Sequence, residues 1–349
     1  MRTSLISTAT LHNSPRSNLA EMQKRLSDAT KEVSTGRHAD VGLKLGDRTG
    51  RNVALRRDLG NLEAMITSNS LAKARISQTH TVLGSMGETM DAIQQNLTTY
   101  PDTNQTIRLL ETQSKEGMQA LIRTMNSTDG RVYLFGGINS SQPPMADYDG
   151  APRTAVDNAL IAKFGLSIPP QNDSAGLAAI TPADMQDFID NEFDALFQDP
   201  DWGTTWSSAS DEAITSRISP DETVRTSITA NTDATRRLAK ALTMLGEFNM
   251  NALDPDTRKV VYENAITTLN SGLTETISER ANLGHFEKRI NVADERMHAA
   301  IDIVETRINA FETVDPVDAK VEVDQLTTQI EMSYSLTTQI MRLSIMKYA

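Results

Sequence analysis

Apolar residues recur at steps of three and four along two long stretches, one toward each end of the 349-residue chain, and the repeat disappears between them. The first seam runs through Leu62, Met65, Asn69, Ala72, Ile76, Thr79, Leu83, Met86, Met90, Ile93 and Leu97. The second runs through Tyr262, Ile266, Leu269, Leu273, Thr276, Arg280, Leu283, Glu287, Ile290, Asp294, Met297, Ile301, Val304, Ile308 and Phe311. At 1.5 Å per residue these seams alone correspond to helices of roughly 54 and 75 Å. A seam of this kind is stable only against a partner helix, so the two chain ends are expected to meet.

Shorter stripes lie outside the long ones. Leu19, Met22, Leu26, Ala29 and Val33 form one, stopped by Ser34-Thr35-Gly36, and Leu326, Ile330, Ser333, Leu336, Ile340 and Leu343 form the other. Glycines 42, 46 and 50 mark the segment 39–50 as an irregular connection. Thr99-Tyr100-Pro101 ends the first long helix, and a second helix follows with Ile107, Leu110, Met118, Leu121 and Met125 on one side. Asp129-Gly130 turns the chain into 132–135, a predicted short strand ended by Gly136-Gly137. Between Asn139 and residue 224 eight prolines break up the chain, and Thr181-Pro182-Ala183-Asp184 has the form of a capped helix start. Val224, Thr226 and Ile228 alternate like a strand, helix resumes near Thr232, and Asp315-Pro316 separates the second long helix from the last one.

The predicted fold is mainly α: a long antiparallel helical bundle or coiled-coil rod formed by both chain ends, with a small mixed α/β head inserted in the middle. The expected division is a terminal helical polymerisation domain (1–45 and 312–349), a helical rod domain (46–138 and 225–311) and a variable acidic head domain (139–224). Aromatics at 5% fit thin helical cores better than a thick globular one. The formal charge of −12 argues against a nucleic-acid partner, which needs a basic face. Between Ser140 and Pro220 thirteen acids face three bases, so the excess sits in the centre and predicts a solvated, outward-facing head.

Catalytic and metal chemistry find little support. Cysteine is absent, and His12, His38, His80, His285 and His298 lack ligand spacing. The acidic series Asp184, Asp187, Asp190, Glu192, Asp194 interleaves with Phe188, Ile189, Phe193, Leu196 and Phe197 at helical spacing, which reads as a solvated helix face and not a calcium loop. No enzyme, cofactor or metal is expected. No stretch approaches the roughly 20 apolar residues of a membrane span, and residues 1–13 lack a secretory apolar core, so a protein working outside the cell is expected to leave by a route that needs no cleaved signal.

Polar residues inside the second seam carry a different message. Arg280, Glu287 and Asp294 repeat every seven residues, too far apart to pair with each other, and are candidates for fixing register between helices or between subunits. The alternative is that the stripe drifts and leaves them partly exposed. The terminal stripes either pack on each other within one chain or complete their folding against neighbouring copies. Short helices are marginal alone, which favours the second reading and makes Leu19, Met22, Leu26, Val33, Leu326, Ile330, Leu336, Ile340 and Leu343 the self-assembly candidates.

At residue level, Gly130-Arg131-Val132-Tyr133-Leu134-Phe135-Gly136-Gly137 with Gln142-Pro143 resembles the Gly-x-Tyr-Leu-Phe-Gly-Gly signature of the bacterial flagellin superfamily, and in particular its flagellin-like hook-filament junction branch, hook-associated protein 3. Leu26 with Val33-Ser34-Thr35-Gly36-Arg37 and the ending Met341-Arg342-Leu343-Ser344-Ile345-Met346-Lys347-Tyr348 are similar to that family's terminal motifs. The resemblance covers roughly residues 1–138 and 225–349. It departs at Val41-Gly42-Leu43-Lys44-Leu45-Gly46-Asp47, where the family shows Ser-Asp-Asp-Pro, and at Ala349, where it shows leucine.

The resemblance implies a non-enzymatic structural subunit exported through the flagellar type III apparatus, extracellular, and joining hook to filament. Its implied partners are copies of itself, the other hook-associated junction protein, flagellin and a flagellar export chaperone, with neither nucleic acid nor membrane insertion. A filament-forming flagellin is the nearest alternative. A soluble coiled-coil signalling rod pairs long helices similarly but turns tightly at its centre, where this chain inserts about 85 residues.

Overall fold

The computed structural model describes residues 8–97, 100 and 103–346. The elements in chain order are α1 (Thr8–Thr35), α2 (Val41–Leu45), α3 (Thr49–Asn96), α4 (Asn104–Met125), α5 (Ala151–Phe164), α6 (Ser174–Ala178), α7 (Pro182–Asp190), α8 (Glu192–Ala195), β1 (Thr215–Ser219), β2 (Glu222–Arg225), α9 (Asp233–Glu247), α10 (Pro255–Glu312) and α11 (Pro316–Met346). The fold is mainly α, with long helices from both chain ends and one small antiparallel sheet in the middle. The chain divides into two compact units, Met1–Ala64 with Met297–Ala349, and Met65–Arg296. Helices α3 and α10 contribute to both.

In the larger unit, 65–296, four helices close around one core. Gln94 donates to Asn270 at 2.6 Å and Lys73 reaches Asn291 at 3.2 Å, which sets α3 and α10 antiparallel. Lys115 faces Glu247 and Thr235 faces Met125, so α4 and α9 are antiparallel as well. The seam residues Ile76, Leu83, Met90, Leu269 and Leu283 are buried, as their spacing requires. Gly117 lets three helices approach: a Cβ there would stand 2.5 Å from Ile93 and 3.1 Å from Leu242. The N-terminus of α4 is held by a capping box between Thr103 and Thr106, and α9 starts on the Thr232 side chain.

The middle segment adds a second part to that core. Phe188, Phe193, Phe197, Trp202, Trp206 and Phe248 are all buried, and the two tryptophans stack at 5.6 Å. The chain's few aromatics are thus concentrated here and not spread thinly along the long helices. The acidic centre is therefore more than a solvated surface: its carboxylates ring an apolar interior and several meet cations, as Asp187 and Glu192 meet Lys163 at 2.5 and 2.8 Å. Thr181 caps α7 as its sequence predicts, accepting from the Asp184 amide at 3.2 Å.

Three local expectations are corrected. The predicted strand at 132–135 makes only single bridges, Thr128 to Tyr133 and Gly136 to Thr229, because its amides are used by different neighbours. The connection 39–50 is ordered into α2 and a short 3-10 turn, since Asp40 caps the Leu43 amide at 2.9 Å. Strand β1, unseen in the sequence pattern, pairs with β2 across a bulge between Arg217 and Ser219. Only four residues of β2 carry the alternation expected through Ile228.

In the smaller unit, α1 and α11 pack together. The Gln23 amide donates to the Tyr334 hydroxyl at 3.0 Å, and Arg37 bridges Thr313, so the two run antiparallel. Ala29, Ala319, Leu326 and Ile330 are buried between them, a narrow seam.

Candidate functional site

The terminal pair presents two unlike rows on α11. Ala319, Leu326 and Ile330 face α1, where Leu19, Met22 and Leu26 are half-buried. A second set, Val317 with Val321 and, eleven residues on, Met332 with Leu336, lies along another face of the helix and stays in water at 69%, 49%, 54% and 58% exposure. Leu336 therefore lies on the outer row, which corrects its assignment to one stripe with Leu326 and Ile330. The reason is the drift of a 3.6-residue helix, which turns position 336 away and brings Thr337 inward. Val33 on α1 is also exposed, at 41%. The side chains of Ile340 and Leu343 lie outside the described residues. Exposed leucine and methionine at helical spacing on a thin pair are a surface suited to another helix.

Where the terminal pair begins, one carboxylate joins both chain breaks. Glu312 is the last residue of α10, and its side chain is only 1% exposed. Asn52 donates to it at 2.8 Å and Arg56 twice, at 2.9 and 2.6 Å, while Arg37 stands at 3.5 Å. The His38 amide donates to the Glu312 carbonyl at 2.9 Å, and Val314 donates to Gly36 at 3.0 Å. The Arg56 hydrogen bonds hold the Glu312 carboxyl below the usual carboxylate range against the opposing effect of burial. Gly36, at φ +68°, allows the sharp turn that brings these backbone groups together. This node was not anticipated from the sequence. Its signal was an anion at a helix C-terminus, a position the helix dipole disfavours unless a cation compensates.

The signature residues form a crossing in the larger unit. Asp129 accepts from the amides of Arg131 and Val132 at 2.9 and 3.0 Å, and these hydrogen bonds lower its pKa. Leu134 and Phe135 are buried, Tyr133 is half-buried, and Phe135 accepts from the Ala230 amide at 2.8 Å. Gly136 accepts from Ser210 at 3.1 Å. Gly137 sits at φ +61°, and a Cβ on it would stand 2.5 Å from the Glu212 carbonyl, so no other residue fits. The Tyr-Leu-Phe-Gly-Gly run thus threads between two later segments and ties α4 to the start of α9.

The three seam charges fare differently. Asp294 is buried, accepting from Asn69 at 2.7 Å and pairing with Lys73 at 2.7 Å, while Asn69 also donates to the Ile218 carbonyl at 2.9 Å. The guanidinium of Arg280 lies over Gly84, 3.3 Å from where a Cβ would stand, with its Nε unpartnered. Glu287 is half-buried and has no hydrogen bond or ion pair. The three do not touch one another. Among the described residues there is no cluster of three or more His, Cys, Asp or Glu able to hold a metal ion, and no helix is long and apolar enough to cross a membrane.

Two family models match this chain: the bacterial flagellin N-terminal helical region over residues 6–140, and the bacterial flagellin C-terminal helical region over residues 266–348. No curated protein matches its sequence significantly. Among solved structures, it is similar to a protein from Vibrio parahaemolyticus described as a flagellar hook-associated protein, with 10% identity and a TM-score of 0.54. That match covers 76% of this chain and 97% of the other, and it shows a shared fold. With both family regions present at the two ends that pair in the fold, this chain belongs to the bacterial flagellin family, structural proteins that self-assemble in the flagellum.

Proposed function

We propose that this protein is a junction subunit that joins flagellar hook to filament and assembles through its terminal helices. The observation that carries the assembly reading is the outer row Val317, Val321, Met332 and Leu336, apolar and spaced for a helix partner yet exposed in the single chain. Burying such side chains is favourable by about 25 cal/mol per Å² of apolar area, so docking among copies would finish what one chain leaves undone. The junction role, as against a filament-forming flagellin, is supported by the Tyr133-Leu134-Phe135-Gly136-Gly137 crossing and by the fold shared with a protein described as hook-associated.

On this reading three zones divide the work. Residues 1–45 with 312–349 polymerise, 46–138 with 225–311 form the supporting helices, and 139–224 form the acidic outer part. Val33, Leu336, Ile340 and Leu343 join the outer row in the contacts between copies, Leu19, Met22, Leu26, Leu326 and Ile330 hold the terminal pair together, and Asp294, bonded to Asn69 and Lys73, sets the register of α10 on α3. The partners are further copies, the second junction protein, flagellin, and a chaperone that keeps the carboxyl-terminal helix from assembling before export.

Deleting the gene and examining cells by electron microscopy tests the role. A junction subunit leaves hooks in place while flagellin escapes into the medium. Loss of the filament protein itself, with no flagellin released, would instead assign a filament subunit. Truncating both terminal stripes should abolish incorporation into isolated hook-basal bodies; normal antibody labelling of the truncated protein there would reject assembly through the termini.

A further inference from the structure

A cavity of about 220 Å³ opens in the larger unit between α4, α9 and the start of α5. Its base is Glu247, 4% exposed, on the last turn of α9. Two cations approach this carboxylate without reaching hydrogen-bond distance: Lys115 at 3.8 Å from Oε1 and Arg153 at 3.6 Å from Oε2. Oε2 itself has no hydrogen bond, and neither has the nearby hydroxyl of Tyr148, which is 7% exposed. Arg153 is engaged elsewhere, donating to Asp149 at 3.0 Å, and both cationic heads extend into solvent.

Buried carboxylate oxygens are almost always hydrogen-bonded, and one that is not asks for a donor. The charges that act on Glu247 include Asp149 and Asp157 besides Lys115 and Arg153, and Asp147 also lines the cavity. Acids therefore outnumber bases around it. Met118, Leu242 and the Tyr148 ring supply an apolar strip in a wall that also carries Gln119 and Thr243. An acceptor at the base, an apolar strip beside it and an acidic surround are complementary to a primary ammonium on a short alkyl stem.

We propose that this cavity binds a primary alkylammonium group, with Glu247 Oε2 as its principal acceptor. The group would come either from a free amine or from a lysine side chain of another polypeptide. Burial pushes the Glu247 carboxyl pKa up, and a bound cation would relieve that cost by stabilising the ionised form. The inference is independent of the junction role, since none of its residues belongs to the terminal pair.

The intact protein offers its own reporter. Tyr148 lies 5.8 Å from Trp206, which with Trp202 accounts for all the tryptophan in the chain. Titration with n-butylammonium chloride should change tryptophan fluorescence saturably, whereas butanoate should not. Glu247→Gln should weaken the amine by about tenfold or more with unchanged circular dichroism. Should that variant fail to fold, Gln119→Phe, an exposed change at the cavity rim, blocks entry and should also abolish the response. Equal affinity for Nα-acetyl-lysine N-methylamide would assign a polypeptide lysine as the source, and selective binding of butylammonium a free amine. Butanoate binding as tightly as butylammonium, no saturable response to any amine, or full affinity in Gln119→Phe would each overturn the proposal.

Discussion

The two compact units use the same alternation of apolar residues and end in different states. In the larger unit the seams of α3 and α10 are covered by α4 and α9, and fifty apolar residues are buried among those described. In the smaller unit six are buried, Ala29, Met297, Ile308, Ala319, Leu326 and Ile330, while nine large apolar side chains lie exposed. A helix pair without further cover cannot enclose a two-sided stripe, so its outer row stays wet. The same repeat therefore specifies a finished core in one place and a docking surface in the other. Stability and assembly are separated along one chain.

The contrast is sharpest if each unit is perturbed alone. Phe193→Ala, which empties the centre of the aromatic cluster, should destabilise the larger unit by about 3–5 kcal/mol in urea unfolding followed by tryptophan fluorescence. An unchanged midpoint would mean the cluster is not the core of that unit. Native-state hydrogen exchange should find amides of α1 and α11 opening about a thousandfold more readily than those of α9, a gap of about 4 kcal/mol. Equal protection in the isolated protein would dissolve the distinction. Glu312→Ala should cost the smaller unit about 1–3 kcal/mol, because Asn52 and Arg56 lose their common acceptor. Exchange confined to α1, α2 and α11 is the readout, and a change centred on α9 would contradict it.

Acid pH should pull the units in opposite directions. The Glu312 carboxyl is held below the ordinary glutamate value of 4.5, so its contribution is complete above that value and is lost as pH falls through the lower folded one. The Glu247 carboxyl is raised by burial, with Lys115 and Arg153 opposing the shift and Asp157 and Asp149 adding to it. The folded chain then binds its proton more tightly than the unfolded one, and the larger unit gains stability as pH falls through the raised value. Comparing Glu312→Gln and Glu247→Gln with the parent chain across pH 3–7 should give slopes of opposite sign attributable to each residue. The smallest effect is also the most telling: Leu336→Ser should change monomer stability by no more than about 0.5 kcal/mol and still impair assembly, measured by incorporation into isolated flagella.

Much of the architecture was legible beforehand. The long helices end within one residue of their seams, though they start thirteen and seven residues before them, and Thr181, Thr232 and Gly36 act as the caps and stops their types imply. Periodicity works there because helix geometry is local, and each residue's facing is set by its neighbours three and four positions away. The family signature was equally visible as a string, though its role as a crossing was not. Gly137 is required by the carbonyl of Glu212, seventy-five positions later, and no local rule announces such a neighbour.

The sequence by itself determined which faces of the helices are apolar, where the helices stop, and that the two ends of the chain must pair. Tertiary structure alone decided which apolar rows are covered, that Leu336 faces outward while Leu326 faces in, and that Asp294 and Glu312 meet donors on α3. The reason is that burial and pairing depend on partners brought together across more than two hundred residues. Whether a side chain with the right spacing becomes core, clamp or docking surface is settled only when those partners arrive.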